Sequence, residues 1–409
     1  MNMESCCCSA QRQYAMIFRL RDITVLLYIL FSEILPFTIL HDLLRIGVCV
    51  FHVFMLLYTD TKEPLKAQLV WQSIFMLYFT FHSLFGLALN TSVAFVQISR
   101  IFVQMFILNA IVCMAISEKG LLKFMNIYTW AILAKVVLAI LLQRGSLITI
   151  RLGTLSFPLP IIGFVKYNAN SLGMSCSLVF FFQVYILTSL KKQRRRIFIM
   201  LFCVAAIMLT GSRKALIMML FLLFVFLFFY QPEHRIKTVL IVGIFVSIVG
   251  FLLMNVESLY EVAGKRLEDT IMSAMGEESQ ESSAKTRNEM IDSGLEWVLA
   301  KPLTGYGLDC YRFLSRYNTY SHNNYIELAV SGGIWALPIY YWYYAYIIWK
   351  NITQYKNADN KKIRALSICT AVILPVLEYG WVTYHGGIPT ILLALGSTYQ
   401  ARLNYKRKE

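Results

Sequence analysis

Ala67 to Leu89 reads AQLVWQSIFMLYFTFHSLFGLAL, without one formal charge. At about 1.5 Å per helical residue, such a run is long enough to cross the roughly 30 Å of hydrocarbon in a bilayer. The signature recurs along the 409-residue chain, which is 58% apolar and only 15% charged, with a mean hydropathy of +0.59. A water-soluble domain carries about 45–50% apolar and about 25% charged residues. The composition therefore excludes a water-soluble enzyme, a disordered chain and a disulfide scaffold. The net charge of +15 is a statement about topology, and no nucleic-acid partner is expected.

Apolar runs fall near 22–40, 43–59, 67–89, 93–116, 122–142, 169–190, 197–211, 213–230, 236–254, 323–349, 365–383 and 386–403. They predict an all-α fold, a polytopic membrane helical bundle of about twelve transmembrane helices with one large external loop. The first run leads straight into a second span, so no cleaved leader is expected. With the amino terminus inside, 23 of the 38 lysines and arginines fall in inward segments, mostly short loops, as the positive-inside rule requires. The expected organisation is 1–254 as helices one to nine from a cytoplasmic amino terminus, 255–321 as the extracytoplasmic loop, and 322–409 as helices ten to twelve ending in the cytoplasm.

The loop, with eleven acidic and seven basic residues, reads as structured. Leu259, Val262, Ala263, Leu267, Ile271 and Ala274 recur at helical spacing opposite Glu261, Lys265, Glu268 and Asp269, which predicts an amphipathic helix from Ser258 to Met275. GEESQESS at 276–283 reads as a polar hinge or disordered tip. A second amphipathic helix is expected from about Ala284 to Ala300, stopping at Lys301-Pro302. Gly305-Tyr306-Gly307 reads as a tight turn, and Ser321 as the cap of the following span. The nine cysteines suggest no disulfide framework, and Cys6, Cys7 and Cys8 lack the partners of a zinc site.

Three features on the outer face carry possible chemistry. The run Ile197–Tyr230 is interrupted only at Thr210-Gly211-Ser212-Arg213-Lys214. As one helix it would be about 51 Å long, too much for a single crossing. Split at Gly211, its first part spans only about 21 Å, which leaves Arg213 at or below the outer headgroups, where a charge is costly and ordinarily faces a cavity or partner. A helix amino terminus also offers free N–H groups to an anion. The plain alternative is an arginine that snorkels and anchors the helix end. Arg287 is expected in the first turn of a loop helix, where a cation opposes the dipole and an anionic partner would account for it; a solvated arginine paired with Glu289 or Glu281 is the alternative. His322 opens a span beside Asn323 and Asn324. A helix amino terminus disfavours imidazolium and leaves a base near neutral pH, although a hydrogen-bonded interfacial histidine would look the same.

Tyr306, Tyr311, Tyr317, Tyr320 and Tyr325 surround these positions, either as an interfacial aromatic belt or as stacking surfaces for sugars. Glu33, Arg100, Lys135 and Glu378 are weaker candidates that could equally pair with one another.

Taken in order, Thr210-Gly-Ser-Arg213-Lys-Ala-Leu216, then Arg287 with Trp297 and Lys301-Pro302-Leu-Thr-Gly305-Tyr-Gly307-Leu, then Ser321-His322-Asn323-Asn324-Tyr-Ile-Glu327 leading into Gly332-Gly333-Ile334 resemble the O-antigen ligase and O-antigen polymerase superfamily of bacterial inner membranes. Lys166-Tyr-Asn168-Ala-Asn170-Ser-Leu-Gly173 resembles an asparagine-bearing start of a span common in that family. The resemblance implies glycosyl transfer on the outer face of the membrane from a polyprenyl-diphosphate-linked saccharide donor. Arg213 and Arg287 would grip the diphosphate and His322 would activate the acceptor hydroxyl, with no metal and no cofactor. Lys214, Asn323, Asn170, Tyr306 and Tyr320 are expected at the substrate surface. Lys214 stands where small residues are common in the family. The implied partners are the lipid-linked donor and acceptor and membrane lipid, with a flippase and a chain-length regulator beyond them. A polymerase of repeat units into O-antigen or capsule and a ligase onto lipid A core remain open. A lipid-linked saccharide transporter, from another class, would call for a polar path through both leaflets and short loops.

Overall fold

The computed structural model describes residues 20–36, 38–58, 66–144, 150–159, 163–188, 194–275, 282–358, 360–379 and 387–406. Cys6, Cys7, Cys8 and most of the GEESQESS tip lie outside these residues. Helix α1 covers 20–34; α2 Ile39–Tyr58, α3 Lys66–Leu84, α4 Thr91–Ala115 and α5 Glu118–Gln143 follow. A short antiparallel hairpin, β1 Ser156–Leu159 and β2 Gly163–Lys166, pairs Phe157 with Val165. Then come α6 Ala169–Leu187, α7 Arg194–Thr210, α8 Arg213–Tyr230 and α9 Arg235–Asn255. The loop region holds α10 Glu257–Leu259, a π-helical turn at Tyr260–Gly264, α11 Lys265–Ala274, α12 Ser282–Ala300 and α13 Tyr311–Leu314. The chain finishes with α14 Asn324–Gly332, α15 Ala336–Asn357, α16 Lys361–Tyr379 and α17 Ile388–Lys406.

The protein is helical, as its composition requires. Among the described residues five helical segments are long and apolar enough to cross a membrane: Thr91–Ala115, Glu118–Gln143, Ala169–Leu187, Arg213–Tyr230 and Pro232–Asn255. Helix α6 is the central post, buried along nearly its whole length and packed on α5, α7 and α8, while α8 also packs on α16 and α15 on α3. Gly173 makes this close approach possible: a Cβ there would lie 2.7 Å from Oγ1 of Thr210 and 2.9 Å from Cβ of Ala215. Ser177 Oγ donates to the Ala215 carbonyl at 2.7 Å, fixing α6 against α8.

The expected single span over 323–349 is two helices. Helix α14 stops at Gly332 because Gly333 takes φ +65°, a conformation natural to glycine. The Ile334 N–H then bonds to the Pro302 carbonyl at 2.8 Å instead of continuing the helix. Ser321 is not the cap of α14; Asn323 is, its Oδ1 accepting from the N–H groups of Tyr325 at 2.9 Å and Ile326 at 3.3 Å. The expected helix from Ser258 to Met275 is helical as far as Ala274, with the π-helical turn Tyr260–Gly264 near its start. Glu33 and Lys135 pair with each other at 2.9 Å between α1 and α5, largely buried.

Candidate functional site

The α7–α8 hairpin is built around Gly211. Its φ of +56° ends α7, and Ser212 begins α8 by accepting from the Ala215 N–H. A Cβ at Gly211 would lie 2.4 Å from the Val262 carbonyl oxygen, so the π-helical turn is pressed directly onto the hairpin. Met208, Val249, Leu253 and Ala263 form the apolar seat beneath this contact. Arg213, the first residue of α8, donates from Nη1 to the Arg266 carbonyl at 3.0 Å, and Arg266 Nη1 reaches back to the Gly211 carbonyl at 3.4 Å. On the other flank Arg151 donates from Nε to the Thr210 carbonyl and from Nη2 to Oδ1 of Asn170, both at 2.7 Å. Asn170 thus uses its side-chain oxygen on Arg151, while Asn168 caps α6 through the N–H groups of Asn170 and Ser171.

The second wall comes from α12, docked on α14 through an apolar cluster of Met290, Tyr311, Ile326 and Val330. Gly294 sits against Ile326, and the Tyr311 hydroxyl donates to the Met290 carbonyl at 2.6 Å. The helix begins at Ser282, so half-buried Arg287 lies in its second turn rather than the expected first. Glu289, the neighbouring acid considered as its partner, is engaged by Nη2 of Arg316 and the Tyr317 hydroxyl. These bonds hold the Glu289 carboxyl below its ordinary pKa.

His322 lies between Ser321 and Asn323 in a left-handed conformation, φ +59°. Ser321 Oγ donates to the Asn323 carbonyl at 2.7 Å and accepts from the Asn323 N–H at 3.3 Å, while the Ser321 N–H donates to Oε2 of fully buried Glu327 at 2.7 Å. The imidazole lies 4.3 Å, centroid to centroid, from the Tyr320 ring.

Electrostatics tie the walls together. Burial, then the charges of Arg287 and Lys214, push the His322 pKa down to about 4, so the imidazole is neutral at ordinary pH. Lys214 lies within reach of the charges of Arg287 and Arg213. Burial raises the Tyr320 hydroxyl, with Arg287 acting in the opposite sense. Arg213, Lys214, Arg287, His322 and Tyr320 therefore share one neighbourhood, built from α8, α12 and the turn before α14. Such a cluster of cations around a neutral base fits an anionic group bound next to one whose proton is to be removed.

Tyr306 packs against the cluster of Met290, Tyr311, Ile326 and Val330. Its N–H bonds to the Val330 carbonyl at 2.8 Å near the far end of α14, and Lys301 Nζ lies 4.7 Å above its ring. Asn323 faces α14 as its cap. Sequence reasoning missed Arg151, Arg266 and Glu327. A signal existed for Arg151, a basic residue in a segment that the charge rule assigns to the outside; Glu327 lies inside the Ser321–Glu327 motif, where nothing local marks its contact with the Ser321 N–H.

Residues 198–341, about a third of the chain, match the family model described as O-antigen ligase. The matched segment carries Arg213, Lys214, Arg287, Tyr320 and His322 together. No curated protein matches the chain.

Proposed function

We propose that this protein is a membrane glycosyltransferase that polymerises polyprenyl-diphosphate-linked oligosaccharide repeat units into a surface polysaccharide. The observation that carries the reading is the half-buried His322 imidazole, set against the Tyr320 ring and within reach of the charges of Arg287 and Lys214, which with burial keep it neutral. The match of residues 198–341 to the O-antigen ligase family model supports the same reaction class.

In this reading the donor's diphosphate occupies the cationic side, where Arg213, Arg287, Lys214 and the amino terminus of α8 offset its charge. An acceptor hydroxyl attacks the anomeric carbon from the opposite face. The bond from that carbon to the phosphate oxygen breaks as the new glycosidic bond forms, the configuration inverts, and the hydroxyl proton passes to His322. The bonding pair leaves on the lipid diphosphate, and the arginines are worth most there because negative charge grows as the bond breaks. A leaving group so stabilised needs neither a metal nor a proton donor. Base catalysis by the imidazole contributes about 10²–10⁴-fold. Tyr320 is the stacking surface nearest the reacting centre.

The proposed setting is the bacterial cytoplasmic membrane, with both termini inside, about twelve spans and the reaction on the extracytoplasmic face. The charge asymmetry of the loops supports this orientation.

The deciding experiment is complementation of a deletion strain with Arg213→Ala, Arg287→Ala and His322→Ala. Each variant is expected to reach the membrane and yield no polymer ladder, with one-unit lipid-linked saccharide accumulating. Normal ladders from all three would overturn the assignment. A ligase reading is favoured by the description of the matched family and differs in the acceptor, lipid A core in place of a second lipid-linked saccharide. Accumulation of long lipid-linked polymer in the deletion strain would select it.

A further inference from the structure

The turn that carries His322 is held more firmly than a surface turn needs to be. A non-glycine residue with positive φ costs of order 1–3 kcal/mol and persists where its surroundings over-determine it. At His322 both flanking residues are fixed. The Asn323 side chain caps α14, and the Ser321 hydroxyl is bonded to the Asn323 backbone in both directions. The remaining freedom is the backbone on the amino-terminal side, and Glu327 removes it: Oε2 takes the Ser321 N–H at 2.7 Å with the side chain wholly excluded from solvent. Glu327 lies one helical turn beyond Asn323, and its own N–H bonds to the Asn323 carbonyl at 3.0 Å. One residue therefore grips both sides of the histidine.

We propose that Glu327 is the positioning residue for the His322 base: its carboxyl oxygen, by accepting from the Ser321 N–H, fixes the left-handed backbone that aims the imidazole. It touches no reacting atom. The inference rests on the reading of His322 as base. A carboxyl buried solely for folding would have no need to close the two-residue bracket around the imidazole.

The requirement is reach and acceptance, so the amide of Glu327→Gln suffices, because its Oε1 accepts the same bond. Glu327→Asp keeps a carboxyl but is one methylene short, and Glu327→Ala removes the acceptor. A misplacement of about 1 Å at a reacting group costs up to about 10²-fold in rate. The test measures elongation of the cell's own lipid-linked repeat units in membranes carrying the full-length protein, with His322→Ala alongside. At saturating donor, E327D and E327A are expected to lose about ten- to a hundredfold in rate. E327Q should stay close to wild type, and donor KM should change little in all three. Activity in the order Asp above Gln, wild-type activity in both Asp and Ala, or a loss expressed wholly in donor KM would overturn the inference. Retained activity in His322→Ala would instead overturn the underlying reading of the base. Because Gln and Asp are both conservative, their order decides the matter even if E327A fails to fold.

Discussion

Arg213 donates from Nη1 to the main-chain oxygen of Arg266 at 3.0 Å, so the backbone of the loop segment holds the hairpin arginine whatever side chain position 266 carries. Arg266→Ala leaves that acceptor in place and removes the longer bond to Gly211. Elongation should fall only severalfold, because the guanidinium bond lost is a long one at 3.4 Å and the acceptor of Arg213 stays in place. Arg213→Lys should cost much more, since an ammonium cannot replace the planar fork that holds the Arg266 carbonyl and, in the proposed reading, a phosphate as well. Comparable rates in the two variants, measured in membranes, would count against the geometry.

Gly211 permits no side chain. With φ at +56° and the Val262 carbonyl oxygen 2.4 Å from a built Cβ, Gly211→Ala should destabilise the hairpin by about 1–3 kcal/mol through strain alone. The melting temperature in detergent should drop and donor KM should rise together, because the same turn sets the position of Arg213. An unchanged melting temperature would refute this.

The pH profile follows from the depressed His322 pKa. In the free enzyme the imidazole becomes protonated only as pH falls toward about 4, so the acidic limb of kcat/KM for donor belongs there rather than near 6.5. In the proposed reading a bound diphosphate offsets Arg287 and Lys214, leaving burial as the main depressing influence. The acidic limb of kcat is therefore expected at higher pH than that of kcat/KM. Lys214→Met should move the kcat/KM limb upward in the same direction. Coincident limbs in wild type would mean that the anion does not sit beside the imidazole.

Between α1 and α5, Lys135 Nζ and Glu33 Oε2 meet at 2.9 Å with little exposure. Removing one partner strands a charge, which costs about 3–5 kcal/mol, whereas replacing both with apolar residues is often neutral. Lys135→Met should lower thermal stability sharply, and adding Glu33→Leu should restore most of it. An equally unstable double variant would assign the pair a role beyond mutual neutralisation.

How much of this was legible in the sequence depends on the distance over which each cause acts. The break at Gly211 was readable because the length of an apolar run is local arithmetic, and α8 begins where that arithmetic puts it. The turn at 305–307 was readable from its glycines. Its pairing with α14 was not, and neither was the split of the expected 323–349 span, which depends on the Ile334 N–H meeting a carbonyl thirty-two residues earlier in the chain, at Pro302. Asn170 illustrates the same limit. Its place at the start of α6 was read from the resemblance, but the Arg151 guanidinium that takes its oxygen arrives from a connecting segment with no periodicity to follow. The short β hairpin escaped for a similar reason, since four-residue strands carry little pattern.

The apolar cluster of Met290, Tyr311, Ile326 and Val330 has a mechanical corollary. It fastens the helix bearing Arg287 to the helix that starts beside His322, so these two groups ride on one block. Arg213 and Lys214 ride on another, seated over Met208 and Leu253. Any movement of one block against the other would change the distance from Arg213 to Arg287 and leave the spacing of guanidinium and imidazole on the α12–α14 block as it is.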